Sequence, residues 1–222
     1  MPRAAPDKRT RRGETQAQAR PYHHGSLKAA LVAAALALAE EVGAEGISMR
    51  EAARRAGVSP AAPFRHFPDR DALLAAAAAE ALRRFRGEID AALAAAPAGD
   101  PLLRLKAFGL GYLRWAMRNP AHFQILSTRG IFDLESSPEL SADNARIIAM
   151  VEATLADAAS AGLLRSPDTK LVTVASRALV YGFARMLIDG HFPRWKVEAE
   201  EAEPLVEPLL DLFIAGIAKP RS

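Results

Sequence analysis

The sequence predicts an all-α protein in which a small helix-turn-helix precedes a larger helical bundle, about nine helices together. Three observations predict it. Apolar residues recur at spacings of three and four from Leu27 onward, and no run shows sustained strand alternation. Ser, Asp, Pro and Gly also stand where helices should start and stop. Half of the 222 residues are hydrophobic, enough to bury a core, and there is no cysteine, which removes disulfide and thiolate chemistry and fits a cytoplasmic setting.

Residues 1–24 form a polar arm carrying Lys8, Arg9, Arg11, Arg12 and Arg20, with too few core-forming side chains to order itself. The first helix opens at Ser26 as cap, lines one face with Leu27, Leu31, Ala34, Leu38 and Val42, and ends at Gly43 and Gly46. Ser48 caps a short second helix with a small-residue face of Ala52, Ala53 and Ala56, stopped by Gly57. Ser59 and Pro60 signal a third, because Ser supplies a cap oxygen and Pro fits a first turn. Two short helices joined by a glycine turn make a helix-turn-helix. Pro63 disturbs the third, since it has no N–H to give the carbonyl four residues back, so that helix should be short or irregular.

Asp69 caps a long alanine-rich fourth helix bearing Leu73, Leu74 and Leu82 and ending near Pro97. The domains are accordingly read as 25–70 and 71–222. PAGDP at 97–101 is the clearest break, followed by helices at about 101–118, 120–129, 141–162, 168–189 and 203–217. Residues 29–39, AALVAAALALA, follow Arg11 and Arg12 at a distance; they are read as a soluble helix rather than an export signal, being mostly alanine and too short to span a membrane.

Charge separates the two parts. Residues 1–70 carry 12 Lys and Arg against 7 Asp and Glu, and residues 71–222 carry 17 against 19, so a net +5 front precedes a net −2 remainder. A basic front suits a surface that meets phosphates.

The stretch GISMREAARRAGVSPAAPFRHFPDRDALL, residues 46–74, resembles the DNA-binding signature of the TetR family of bacterial regulators. The shared features are the Ala53 to Gly57 spacing, Val58-Ser59, Phe64, Arg65-His66-Phe67, and Arg70 ahead of Leu73. The resemblance implies a DNA-binding transcriptional regulator, usually a homodimeric repressor that answers a small-molecule effector and binds a pseudo-palindromic operator of double-stranded DNA. Ser48, Arg50, Ser59, Arg65, His66 and Arg70 are then candidates for phosphate contact. Pro60, Ala61 and Ala62 bring short side chains to the major groove, where methyl contact with thymine is available. Phe64 joins this surface, as do Arg20 and Tyr22 from the arm. The family commonly has Tyr, Leu and Lys where this chain has Phe64, Pro63 and Arg70, so the operator sequence does not carry over.

Beyond residue 100 aromatics gather: Phe108, Tyr112, Trp115, Phe123, Phe132, Tyr181 and Phe183, with Met117, Met150 and Met186. They can be an ordinary core, or can wall a pocket for an apolar or aromatic effector. The pocket candidates are Phe108, Tyr112, Trp115, Phe123, Leu126, Met150, Leu155, Leu179, Phe183 and Met186. Gly109 and Gly111 inside one helix imply close packing or a ligand, as each costs about 1 kcal/mol relative to Ala. YLRWAMRNPAHFQIL (112–126) and LVYGFARMLIDG (179–190) resemble the C-terminal domain of a TetR subgroup marked by a Trp-His-Gly signature, with Arg177 and Tyr181 in place of Trp and His and Gly182 kept. By that resemblance the last two helices dimerise through Arg177, Ala178, Tyr181, Gly182, Leu209, Leu212 and Phe213.

Other classes find little support. Tyr22-His23-His24-Gly25 has no acidic or cysteine ligand at metal spacing, so neither metal nor cofactor is expected. There is no nucleophile elbow, phosphate loop, HExxH or partnered carboxylate pair, so the chain is not read as an enzyme. His122 and His191 are taken as surface or cap positions. The closest rival is a constitutive DNA binder whose C-terminal part only dimerises; a packed core would favour it, and a cavity of several hundred Å³ would oppose it.

Overall fold

A computed structural model describes residues 24–128 and 137–220. Arg20, Tyr22 and Phe132 lie outside them. The described residues form eight α-helices: α1 (His24–Val42), α2 (Met49–Arg55), α3 (Arg70–Ala95), α4 (Pro101–Arg118), α5 (Pro120–Ser127), α6 (Pro138–Ser160), α7 (Thr169–Ile188) and α8 (Ala202–Ile217). The extended pairing among them is an isolated bridge between Leu164 and Ala218.

Most starts follow the cap chemistry. Ser48 accepts from the Glu51 N–H (3.1 Å), Asp69 from Ala72 (2.8 Å), Asp100 from Leu102 and Leu103, and Asp168 from Leu171 (3.0 Å). Two starts differ from expectation. α1 begins at His24, which puts Ser26 inside the first turn, and α6 begins at Pro138 under a Ser137 cap, three residues before the expected start.

The third helix of the sequence reading does not form. Ser59 caps no α-helix; its carbonyl accepts from Ala62 (3.0 Å), and residues Pro63–Arg65 make a single 3-10 turn. The cause is Pro63, which cannot donate to the Ser59 carbonyl. Tighter bonds replace the α ladder, and the Pro63 carbonyl then accepts from both His66 and Phe67 (2.9 Å each).

α3 joins the two parts. It packs against α1, α4, α5 and α6, and one apolar core runs from Leu27 through Leu73, Leu74 and Phe85 to Leu210. The boundary expected after residue 70 falls at the start of α3, yet the core is continuous across it. Both glycines of α4 mark close approach. A Cβ on Gly111 would stand 3.0 Å from Ala92 Cβ of α3, and one on Gly109 would stand 2.7 Å from a Leu210 methyl of α8.

Candidate nucleic-acid interface and interior cavity

The front surface is built on turns. Gly57 takes φ of 70°, a left-handed value that lets α2 stop and the chain reverse, after which the turn at Pro63–Arg65 packs back on α2. Pro63 and Phe67 are buried beneath it, with Lys28 Nζ 6.0 Å from the Phe67 ring centre. On the surface above them, Ser48, Arg50, Ser59, Pro60, Ala61, Phe64 and Arg65 are exposed, and Ala62 and His66 are half-buried. Phe64, at 58% exposed, contributes nothing to the core.

The cations divide into engaged and free. Arg54 pairs with Glu51, and Arg55 with Glu41, each holding its carboxyl below the usual range by hydrogen bonding. Arg70 is half-buried: its Nε donates to the Ile47 carbonyl (2.7 Å), and Nη2 to those of Ala44 (3.0 Å) and Glu45 (3.1 Å). It therefore clamps the α1–α2 turn to the start of α3. Arg50 and Arg65 have no ion-pair or hydrogen-bond partner among the described residues and stand as the free cations of this surface.

His122 departs from its expected surface position. On α5, it is 2% exposed, walled by α1 and α3. Its Nε2 stands 3.3 Å from Glu40 Oε1, yet neither ring nitrogen has a properly aligned hydrogen bond. Burial pushes its pKa down, against the attraction of Glu40.

Behind the front lies a cavity of about 1330 Å³. Of the residues expected to wall it, Phe108, Tyr112, Trp115, Phe123, Leu126 and Leu179 do. Met150, Leu155, Phe183 and Met186 do not. α6 turns Ile147 and Val151 to the cavity rather than Met150, Leu155 belongs to a second apolar cluster with Leu105 and Val172, and Phe183 stacks edge-on with Phe192 (4.9 Å). The aromatic wall is continuous, Phe85 meeting Tyr112 (5.2 Å) and Trp115 (4.9 Å), Tyr112 meeting Phe123 (6.1 Å), and Phe123 meeting Tyr181 (5.9 Å).

Several residues assigned to dimerisation also face this cavity. Arg177, Ala178, Tyr181 and Phe213 line it. Gly182 and Leu209 are half-buried, and Leu212 is 73% exposed. Sequence reasoning also missed Leu82 and Phe85 of α3 as cavity walls, although Leu82, Phe85 and Ile89 repeat at three and four along one helix face. α7 is long and apolar enough to cross a membrane by length and composition, a test that core and interface helices of soluble proteins also pass.

Comparison with known proteins gives a consistent result. Residues 31–77 match the tetR family of bacterial regulatory proteins, and residues 105–213 match the Tetracyclin repressor-like C-terminal domain. A protein of unknown function from Rhodococcus sp. RHA1 is 26% identical, with 90% of this chain and 100% of that chain aligned at a TM-score of 0.75. PfmR, a TetR family transcriptional regulator from Thermus thermophilus, aligns at 22% identity over 83% and 97% of the two chains, with a TM-score of 0.66. A TetR family transcription regulator from Marinobacter aquaeolei VT8 aligns at 18% over 88% and 97%, also with a TM-score of 0.66. No curated protein matches. The two family matches, one on the helix-turn-helix and one on the helices around the cavity, place this chain in the TetR family of DNA-binding transcriptional regulators.

Proposed function

We propose that the protein is a homodimeric repressor whose operator affinity is set by a small molecule held in the cavity between α3, α4, α5, α6, α7 and α8. One observation carries the reading. Leu82 and Phe85 of α3 wall the cavity, while Arg70 at the start of the same helix clamps the turn ahead of the helix-turn-helix. An occupant that shifts α3 shifts the recognition turn with it. To turn a mostly bound population into a mostly free one, it must favour the incompetent state by about 5 kcal/mol. The cavity supports this reading over the constitutive one, which calls for a filled core, and the occupant is bound rather than transformed.

The second copy is supported by apolar faces left toward solvent in the monomer. Leu171 on α7, 59% exposed, and Leu205 and Leu212 on α8 make up these faces. Pairing two such faces about a two-fold axis puts two recognition turns on successive major grooves, about 34 Å apart. Ser48, Ser59, Arg50 and Arg65 then meet phosphates, and Pro60, Ala61, Ala62, Phe64 and His66 meet or flank base edges.

The test is fluorescence anisotropy with a DNA fragment spanning the protein's own gene and upstream region, across a salt series and with random competitor DNA. Specific, salt-steep binding by two protomers per site, lost on Leu212→Glu, is the expected result. Binding that random competitor abolishes overturns the operator reading, and a Leu212→Glu protein that still binds as a pair overturns this interface.

A further inference from the structure

The charges that face the cavity are unequal. Lys106 is neutralised by Asp211 (2.5 Å) and Glu207 (3.1 Å). Asp71 stands in the first turn of α3 beside Arg70, eleven residues before Leu82 and so about 16 Å away along the helix. Arg177 of α7 has no carboxylate partner among the described residues. Its Nη1 donates to Tyr112 Oη (2.5 Å), and its guanidinium carbon lies 5.2 Å and 4.9 Å from the ring centres of Tyr112 and Tyr181. Tyr181 is itself anchored, its Oη donating to the Ser127 carbonyl (3.3 Å).

Arg177 is thus a cation with a fixed orientation, and nothing around it among the described residues supplies the counter-charge. Burial pushes the Tyr112 phenol up, so that group stays neutral at physiological pH. The remaining N–H donors of a guanidinium form a planar fork that suits a carboxylate. Arg177 is exposed, so it stands at the edge where the cavity meets solvent, while Phe85, Trp115 and Phe123 are buried deeper. The arrangement is polar at the rim and apolar within.

We infer that the occupant is an amphipathic organic acid whose carboxylate pairs with Arg177 at the rim and whose apolar body lies against Phe85, Tyr112, Trp115 and Phe123. This rests on the cavity being the effector site. A neutral apolar ligand leaves the cation unanswered, and a cationic one is repelled by it. A phosphate ester brings a second negative charge, for which the one other cation of the described wall, Lys106, is already occupied. A straight-chain acid and a ring-bearing acid share this chemistry, and the probes separate them.

Trp115 lines the cavity and Trp195 is exposed, so a Trp195→Phe protein reports occupancy through Trp115 emission alone. The probes are decanoate, decan-1-ol and 4-phenylbutanoate, each titrated also against operator binding. An acid is expected to bind about tenfold more tightly than the alcohol, the scale of one charge-assisted hydrogen-bonded pair. In Arg177→Met that gap closes to about twofold while decan-1-ol is unaffected, and Arg177→Lys keeps part of it. Arg177→Gln is run beside them, with melting curves, so that misfolding of one variant does not decide the outcome. A response to 4-phenylbutanoate alone supports the acid and assigns a ring-bearing body; a response to decanoate alone assigns a chain. Acid and alcohol binding equally, or a gap that survives in Arg177→Met and Arg177→Gln, overturns the carboxylate assignment and leaves the effector site intact. No change in Trp115 emission or operator affinity with any probe overturns both.

Discussion

The front and the back of this molecule are made of different materials. From α1 to the turn at Pro63–Arg65 the interior is largely alanine and leucine, with Ala34, Ala35, Ala52 and Ala53 buried, and the chemically active groups face outward on short turns. Around the cavity the interior is aromatic, and the active groups face inward from six helices. Small side chains let helices approach closely and hold a turn rigid, which a surface that must fit a groove requires. Large rings held apart leave a space, which a container requires. The front should therefore answer to salt and charge, and the back to apolar fit.

The sharpest separation comes from the two free cations. Arg50→Ala with Arg65→Ala is expected to weaken operator binding about a hundredfold at low salt and to flatten the slope of log affinity against log salt by about 1.8, near 0.9 for each lost phosphate contact. Cavity occupancy, read from Trp115 emission, should not move. An unchanged salt slope would mean that these cations point at no phosphate.

Arg70 sharpens the same comparison from inside the front. Its three bonds are to backbone carbonyls of the α1–α2 turn, so Arg70→Ala should cost about 1–3 kcal/mol in chemical denaturation. It should weaken operator binding by loosening the clamp while the salt slope stays as in the unaltered protein. A slope reduced as far as that of Arg65→Ala would make Arg70 a phosphate ligand instead.

What the sequence made legible follows the same division. The front was readable because its determinants are local: a cap oxygen at Ser48 or Asp69, a glycine at 57, a proline at 63 that limits the turn it sits in. Even the failure of the third helix was signalled by a missing N–H four residues from a carbonyl. The cavity was readable only as composition. Tyr112 and Trp115 were found because rings cluster there, but whether Met150 or Val151 faces inward depends on the rotation of α6 against α3, α4 and α7. Arg177 was singled out through a family signature as a dimer residue; its guanidinium contact with the Tyr112 and Tyr181 rings, which joins α7 to α4, is one that no short-range pattern encodes.

His122 lies where front and back join, and it tests whether that junction is apolar in character. Burial strips water from the imidazolium, so the folded pKa lies below the ordinary value near 6.5. A histidine depressed in this way leaves the fold fully stable above about pH 6.5; stability is lost as pH falls through that value toward the folded pKa. His122→Leu removes two buried unpaired nitrogens and should stabilise by about 1–2 kcal/mol at pH 5.5, with a smaller gain at pH 8. Glu40, Glu80 and Arg84 also act on this ring, so the urea midpoints are best compared at fixed salt. An acid limb unaltered by the substitution would assign it to other groups.

The smallest effect should come from restoring one hydroxyl. Phe64 is exposed on the recognition turn between Pro63, which is buried, and Arg65, which is free, so a Tyr there meets no steric obstacle and gains no core contact. If this turn lies along the DNA backbone, the new hydroxyl donates to a phosphate oxygen, and Phe64→Tyr tightens operator binding about fivefold, near 1 kcal/mol, with stability unchanged. Because a hydroxyl carries no charge, the salt slope should stay the same while the affinity rises at every salt concentration. That pattern, a vertical shift opposite the tilt produced by losing Arg50 and Arg65, would place Phe64 against the backbone. No gain at any salt would mean that the turn sits with its ring toward solvent, and that the free cations reach the phosphates from its flanks.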